Sequence, residues 1–253
     1  MMNRYFLIIF RISLLGIYSC GEQAKNQHSI SDTNNTNAKI DTSKNPNAIN
    51  EQKKSLSDFI PEGYVIFDKV LGDLNKDGRE DCVLIIKGTD KTKIIKDEYR
   101  GELDRNRRGL IILFNNENGY ELAAKNYTCF SSENEDGGVY FPPDLDVLIE
   151  KANLFIHYAH GRYGYWRYNF RYKNSDMELI GYDESSNHGP IVNRETSINF
   201  LTKKEIIKEN INENPDQISG DEIFKETKKN VSLTNTIKLS EIKDFDVLDF
   251  SDL

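Results

Sequence analysis

Hydrophobic and polar side chains alternate with a period of two along much of this chain. The clearest stretch is 164–173, where Trp166, Tyr168, Phe170 and Tyr172 interleave with Arg167, Asn169, Arg171 and Lys173. On an extended strand, alternate residues point to opposite faces, so this strand has one aromatic and one basic face. The same pattern predicts three hairpins. Leu110 to Phe114 turns through Asn115-Asn116-Glu117-Asn118-Gly119 and returns as Tyr120 to Asn126, with an Asn-Gly turn. Val147 to Ile149 turns at Glu150-Lys151-Ala152-Asn153 and returns as Leu154 to Ala159. The third starts at Tyr165, turns near Asn174-Ser175-Asp176 and returns as Met177 to Tyr182.

Further strands are expected at Tyr64 to Leu71, at the apolar run Cys82 to Lys87 and at Ser197 to Leu201, while 203–210 suits strand or helix. The charge-dense stretch 91–108 predicts a short helix or a solvated excursion, and 210–220, with Asn, Pro and Gly, a loop. The tail departs from the period of two. Leu239, Ile242, Phe245 and Leu248 recur every third residue behind Ser240-Glu241, which suits a short terminal helix lying on the sheet. The fold class that follows is mainly β: an antiparallel meander of hairpins with a short C-terminal helix. A propeller-like sheet, a sandwich and an open barrel all fit this pattern.

Composition supports strands, with 13 Tyr and 13 Phe. The formal charge of −8 comes from interspersed acids and bases, with no basic stripe of the kind that follows a nucleic-acid backbone. Residues 21–57 are rich in Asn, Ser, Thr, Lys and Gln and nearly empty of large apolar groups. Such a segment cannot bury enough surface to offset the entropy of ordering it, so it is expected to be a flexible tether. The expected globular domain is 58–253.

Residues 1–20 have the form of an export segment: Arg4 lies ahead of a mostly apolar stretch, Tyr5 to Tyr18, and Ser19 precedes Cys20. An ordinary cleaved signal and an uncleaved anchor share these features. Ile17-Tyr18-Ser19-Cys20 resembles the lipobox of bacterial lipoprotein signals. That resemblance implies cleavage before Cys20, acylation of its thiol and a membrane partner through the lipid. Gly21 in the next position implies the outer membrane of the cell envelope.

Between the first two strands, Asp73, Asn75 and Asp77 place side-chain oxygens at every second residue, Gly78 follows and Asp81 comes four positions after Asp77. Alternating short acids around a tight turn suit a hard cation that takes six to eight oxygens. An EF-hand has a bidentate Glu at its twelfth position, where this chain has Leu84. D-x-N-x-D-G-x-x-D leading into a hydrophobic strand instead resembles the calcium loop of FG-GAP and VCBS-type repeats. The match extends from Tyr64 to Lys87 and is present in one copy. It implies calcium as a structural cofactor, held by side chains of Asp73, Asn75, Asp77 and Asp81 and by the carbonyl of Arg79. An Asp-Gly turn with solvated acids is the competing explanation of the same residues.

Other groups are less directive. If Cys20 carries lipid, Cys82 and Cys129 are the remaining thiols, and export would allow a disulfide between them, whereas burial would leave them free. His157 and His160 lie three apart on a strand and so diverge. Glu133-Asn134-Glu135-Asp136-Gly137-Gly138 suits a solvated loop, with a second ion site as the alternative. Tyr163, Tyr165 and Arg167 would form a ligand ledge if their rings are exposed. The chain has no nucleophile elbow, phosphate-binding glycine loop or zinc-spaced Cys/His cluster. The expectation is therefore a tethered binding or interaction module at the cell envelope, with an envelope protein or glycan as partner. The alternative is an envelope hydrolase acting on a glycan or peptidoglycan-like substrate.

Overall fold

The apolar run Cys82–Ile86 lacks alternation because its strand is covered on both faces. In the computed structural model, which describes residues 52–134, 143–232, 235–248 and 250, all five side chains are buried. Val83 and Ile85 enter one core, whereas Cys82, Leu84 and Ile86 enter a second core on the opposite side. A strand sealed on both sides has no solvent face to require polar residues.

The described residues form fourteen strands. The first seven are β1 (Gln52–Lys53), β2 (Tyr64–Gly72), β3 (Asp81–Gly88), β4 (Ile94–Asp97), β5 (Gly101–Asp104), β6 (Arg108–Asn116) and β7 (Gly119–Phe130). The rest are β8 (Asp144–Glu150), β9 (Asn153–Ala159), β10 (Gly164–Lys173), β11 (Asp176–His188), β12 (Ile191–Asn199), β13 (Lys204–Asn210) and β14 (Phe224–Asn230). Five of them form one antiparallel sheet in the order β1-β7-β6-β3-β2. Seven form a meander, β14-β13-β12-β11-β10-β9-β8, in which every strand pairs with its sequence neighbours. Strands β4 and β5 make a separate two-stranded ribbon.

The two large sheets pack face to face. Val83, Ile85, Leu110 and Ile112 of the first sheet share a core with Leu154, Ile156, Tyr168 and Phe170 of the second. Of the architectures compatible with the hairpin pattern, this is the sandwich. At one contact the sheets approach closely, because a Cβ on Gly72 would lie 2.7 Å from Cγ2 of Ile149. The second core, on the outer side of the five-stranded sheet, is covered by Phe59 together with Leu56 and Ile60.

The β8–β9 and β10–β11 hairpins close as the pattern predicts. Lys151 and Ala152 have φ of 52° and 59°, and Asn174 and Ser175 have 52° and 62°. Two successive left-handed residues give the turn whose twist matches that of the strands it joins. In the β6–β7 hairpin the turn is Glu117-Asn118, and Gly119 opens the returning strand.

Several expectations need correction. The tail is not a helix but two 3₁₀ turns, Leu239–Glu241 and Phe245–Val247. Its spacing of three is the repeat of a 3₁₀ turn, and Leu239, Ile242 and Phe245 are all buried. The fold also starts before the expected boundary at 58. Gln52–Lys53 pairs with β7, and Ser55 caps a 3₁₀ turn at Leu56–Phe59. Short polar residues that look like tether can therefore serve as strand and cap. The stretch 91–108 contains a 3₁₀ turn, Lys91–Lys93, and the β4–β5 ribbon. Strand β14 was not expected, because all seven of its residues are exposed and show no alternation. As an edge strand rich in lysine, it meets the usual requirement for discouraging further strand pairing.

Of the two states open to Cys82 and Cys129, a disulfide or buried free thiols, the structure has the second. Cys82 and Cys129 are both free and buried. They belong to the two different cores, on opposite sides of the five-stranded sheet, so the backbone of that sheet lies between them. The export segment with Cys20, and 135–138 of the acidic loop, lie outside the described residues. Among the described residues, no helix is long and apolar enough to cross a membrane.

Candidate functional site

The β2–β3 loop is organised by its own Asx side chains. Asp73 accepts hydrogen bonds from the amides of Lys76 at 2.6 Å and Gly78 at 3.0 Å. Asn75 accepts from Asp77 N–H at 2.9 Å, and Asp77 from Arg79 N–H at 2.9 Å. Lys76 and Gly78 sit at φ of 67° and 83°, and the glycine makes the second of these positions unstrained. The Arg79 guanidinium pairs with Asp77 at 2.6 Å. Hydrogen bonding from Arg79 N–H is the largest influence holding the Asp77 carboxyl below its ordinary range, and the guanidinium adds to it.

Asp81 is the anchor of this loop. Its side chain is fully buried and accepts from Leu74 N–H at 2.8 Å, Asn75 N–H at 3.3 Å and Asn115 N–H at 2.9 Å. Burial pushes its pKa up, and the three amides oppose that rise. Beside it Leu74 is buried in the main core, so a hydrophobic plug holds the loop against the sandwich. The proposed calcium ligands are thus brought into one loop, with their carboxylates turned onto backbone amides. Among the described residues, no three His, Cys, Asp or Glu side chains converge on a point that could hold a metal. A carboxylate has about four lone-pair sites, so the amide bonds to Asp73 and Asp77 leave oxygen lone pairs for a cation.

The expected ledge is on the solvent face of the meander sheet. Tyr163, in the 3₁₀ turn Gly161–Tyr163, is 44% exposed, and Tyr165 at the start of β10 is 36% exposed. The ring of His157 meets Tyr165 edge-on at 5.1 Å. Arg167 follows on the same face but is held: its guanidinium pairs with Asp183 at 2.8 Å and lies 5.7 Å from the Phe155 ring centroid. Ser197 Oγ donates to the other oxygen of Asp183 at 2.8 Å. The two tyrosines are therefore the accessible part of the ledge, with Arg167 as a fixed charge beside them.

His157 on β9 and His160, just past the end of that strand, point into different surroundings. His157 is on the solvent face, while His160 lies against Tyr158 at 5.3 Å and Trp166 at 6.1 Å. Sequence reasoning missed the buried polar cluster next to His160. Arg108 Nε donates to the Ser131 carbonyl at 3.1 Å, and its Nη2 donates to Tyr158 OH at 3.4 Å. Ser131 Oγ hydrogen-bonds Tyr158 OH and also the Asp246 carboxyl. Burial lowers the His160 pKa and Asp246 opposes this; burial raises the Asp246 pKa, with Asp244 adding to the rise. The only sequence signal was an arginine beginning an apolar strand.

The inner face of the meander sheet also borders a cavity of about 540 Å³, closed on one side by the tail. Trp166, Tyr168, Tyr182, Phe245 and Phe250 supply rings, and Glu184, Arg194, Glu205 and Asp246 supply charge. Comparison with protein families, with curated proteins and with solved structures finds no match.

Proposed function

We propose that this protein is a binding module of the cell envelope, anchored through lipid on Cys20, and that Tyr163 and Tyr165 form its recognition surface. The observation that carries the proposal is the exposure of these two rings beside a fixed guanidinium on a sheet face. Exposed aromatic faces stack on sugar rings or on a partner's apolar side chains, and Arg167 supplies a positive charge at a set distance. The partner class is an envelope glycan or protein. The test is co-sedimentation of the purified protein with isolated cell-wall sacculi and with envelope membranes. Tyr163→Ala with Tyr165→Ala should lose binding while leaving the thermal transition unchanged. Equal binding by the double variant would reject this surface.

Two companion proposals have their own tests. Cys20→Ala should release the protein from the membrane fraction, and unchanged fractionation would reject the anchor. The calcium proposal for Asp73, Asn75, Asp77, Arg79 and Asp81 rests on their spacing and on Gly78 at positive φ. Calcium should raise the unfolding temperature, and Asp73→Ala and Asp77→Ala should abolish that rise. No heat of binding and no change in stability would leave the loop as an Asx-stabilised turn.

The alternative of a glycan hydrolase is favoured by Glu184 and Asp246, which border the same cavity. Release of reducing ends from sacculi, lost in Glu184→Gln, would support it over the binding module.

A further inference from the structure

Several charges on the described residues of this protein are held in ion pairs. Arg167 has Asp183, Lys87 has Asp104 and Glu133, and Arg107 has Asp244. At the cavity between the meander sheet and the tail, Glu205 is 5% exposed and has Lys229 Nζ 2.8 Å from Oε2. Asp246 accepts from Ser131. Glu184, which is half-buried, and Arg194, which is exposed at the rim, also border the cavity, and neither has a side-chain hydrogen-bond or ion-pair partner among the described residues.

Their places in the sheet make this notable. Glu184 lies opposite Thr196, and Ser186 lies opposite Arg194. Glu184 and Arg194 are therefore diagonal neighbours on the same face, at a separation where long side chains can meet. They do not meet, and an acid and a base are both left facing the same cavity. Trp166 is the cross-strand partner of Glu184 on the other side, and its ring stacks on Tyr158 at 4.6 Å and Phe245 at 5.9 Å. This edge of the cavity combines an aromatic wall, carboxylates at Glu184 and Asp246, and a guanidinium at Arg194.

We propose that this cavity binds a small zwitterion of the amino-acid or short-peptide class. Its ammonium would lie by Glu184 and Asp246 against Trp166, and its carboxylate would pair with Arg194. The charge pattern selects this class. Arg194 disfavours a simple cation, the two carboxylates disfavour a simple anion, and a neutral sugar would leave both charges unpaired. A cation over an indole face gains from the ring quadrupole, and a guanidinium accommodates a carboxylate through two parallel hydrogen bonds. The volume is in the range of small-molecule sites. This inference does not depend on the tyrosine ledge, which is on the other face of the sheet.

Trp166 is the single tryptophan of the chain, so its fluorescence reports on this cavity. The full-length protein in detergent would be titrated with the dipeptide alanyl-phenylalanine, with its N-acetylated form and with its C-terminal amide. The expected result is a saturable change with the free dipeptide, weakened by about tenfold or more when either terminus is blocked. Glu184→Gln should remove the preference for a free amine, and Arg194→Gln the preference for a free carboxylate. Near-ultraviolet circular dichroism would confirm that both variants keep the wild-type fold. Absence of any saturable change with the free dipeptide, equal binding of the blocked forms, or unchanged preferences in both variants would each overturn the proposal.

Discussion

The backbone N–H of Asn115 donates to the Asp81 carboxylate at 2.9 Å, across 34 residues of chain. Asn115 Nδ2 returns a bond to the Glu80 carbonyl at 3.1 Å, and Arg79 Nε bonds the Asn115 carbonyl at 3.0 Å. The acidic loop and the β6–β7 hairpin are therefore a single structural unit, and Asp81 is its hub. Asp81→Ala would leave three amides without their acceptor. It should lower stability by about 2–4 kcal/mol. Asp81→Asn, which keeps one acceptor oxygen, should cost less. Urea denaturation of the three proteins would check the order, and an Ala variant as stable as wild type would remove Asp81 from this role.

Cys82 and Cys129 are expected to be unreactive in the native state. Burial pushes the Cys82 thiol up to about 11, and burial raises Cys129 as well. Thiolate, the reactive form, is thus scarce near neutral pH at both positions. Maleimide labelling without reductant should modify neither residue in folded protein and both after denaturation. A mass shift of two hydrogens on reduction would instead reveal a disulfide.

His160 should titrate below its ordinary value of about 6.5, because burial disfavours its charged form. The unfolded chain then takes up its proton first as pH falls. The stability contributed by neutral His160 is complete above about 6.5 and is lost on acidification toward the folded-state pKa. Asp246 favours the imidazolium, so Asp246→Asn should lower the His160 pKa further. Side-chain NMR titration would read both values, and a pKa at or above that of a free histidine would contradict this environment.

The tail is held by Phe245. Its ring is 1% exposed, stacks on Phe130 at 5.0 Å and meets Tyr168 edge-on at 4.8 Å. Tyr168 OH donates to the Phe245 carbonyl at 3.1 Å. Phe245→Ala should lower stability by about 3–5 kcal/mol, and Tyr168→Phe by about 1 kcal/mol. Thermal unfolding followed by circular dichroism would measure both. A near-neutral Phe245→Ala would show that the tail does not belong to the core.

The sequence by itself determined most of the long core strands and the faces they bury, but not strands β1, β4, β5 and β14. Trp166, Tyr168, Phe170 and Tyr172 alternate with basic residues because one side of β10 faces the core and the other faces water. The turn residues marked two hairpins, and the period of three in the tail marked the positions that became Leu239, Ile242 and Phe245 of the core. These are local consequences of backbone geometry acting within a few residues. Tertiary structure decided the rest. The sandwich depends on which strands meet across the core, and nothing in a hairpin encodes that. Cys82 and Cys129 are kept apart because their side chains leave opposite faces of one sheet, a relation set by register and not by spacing. The polar cluster of Arg108, Ser131, Tyr158 and Asp246 draws on four distant parts of the chain. Glu184 and Arg194 resemble ordinary surface charges in the sequence, and only the pairing of β11 with β12 beneath the tail brings them to one cavity.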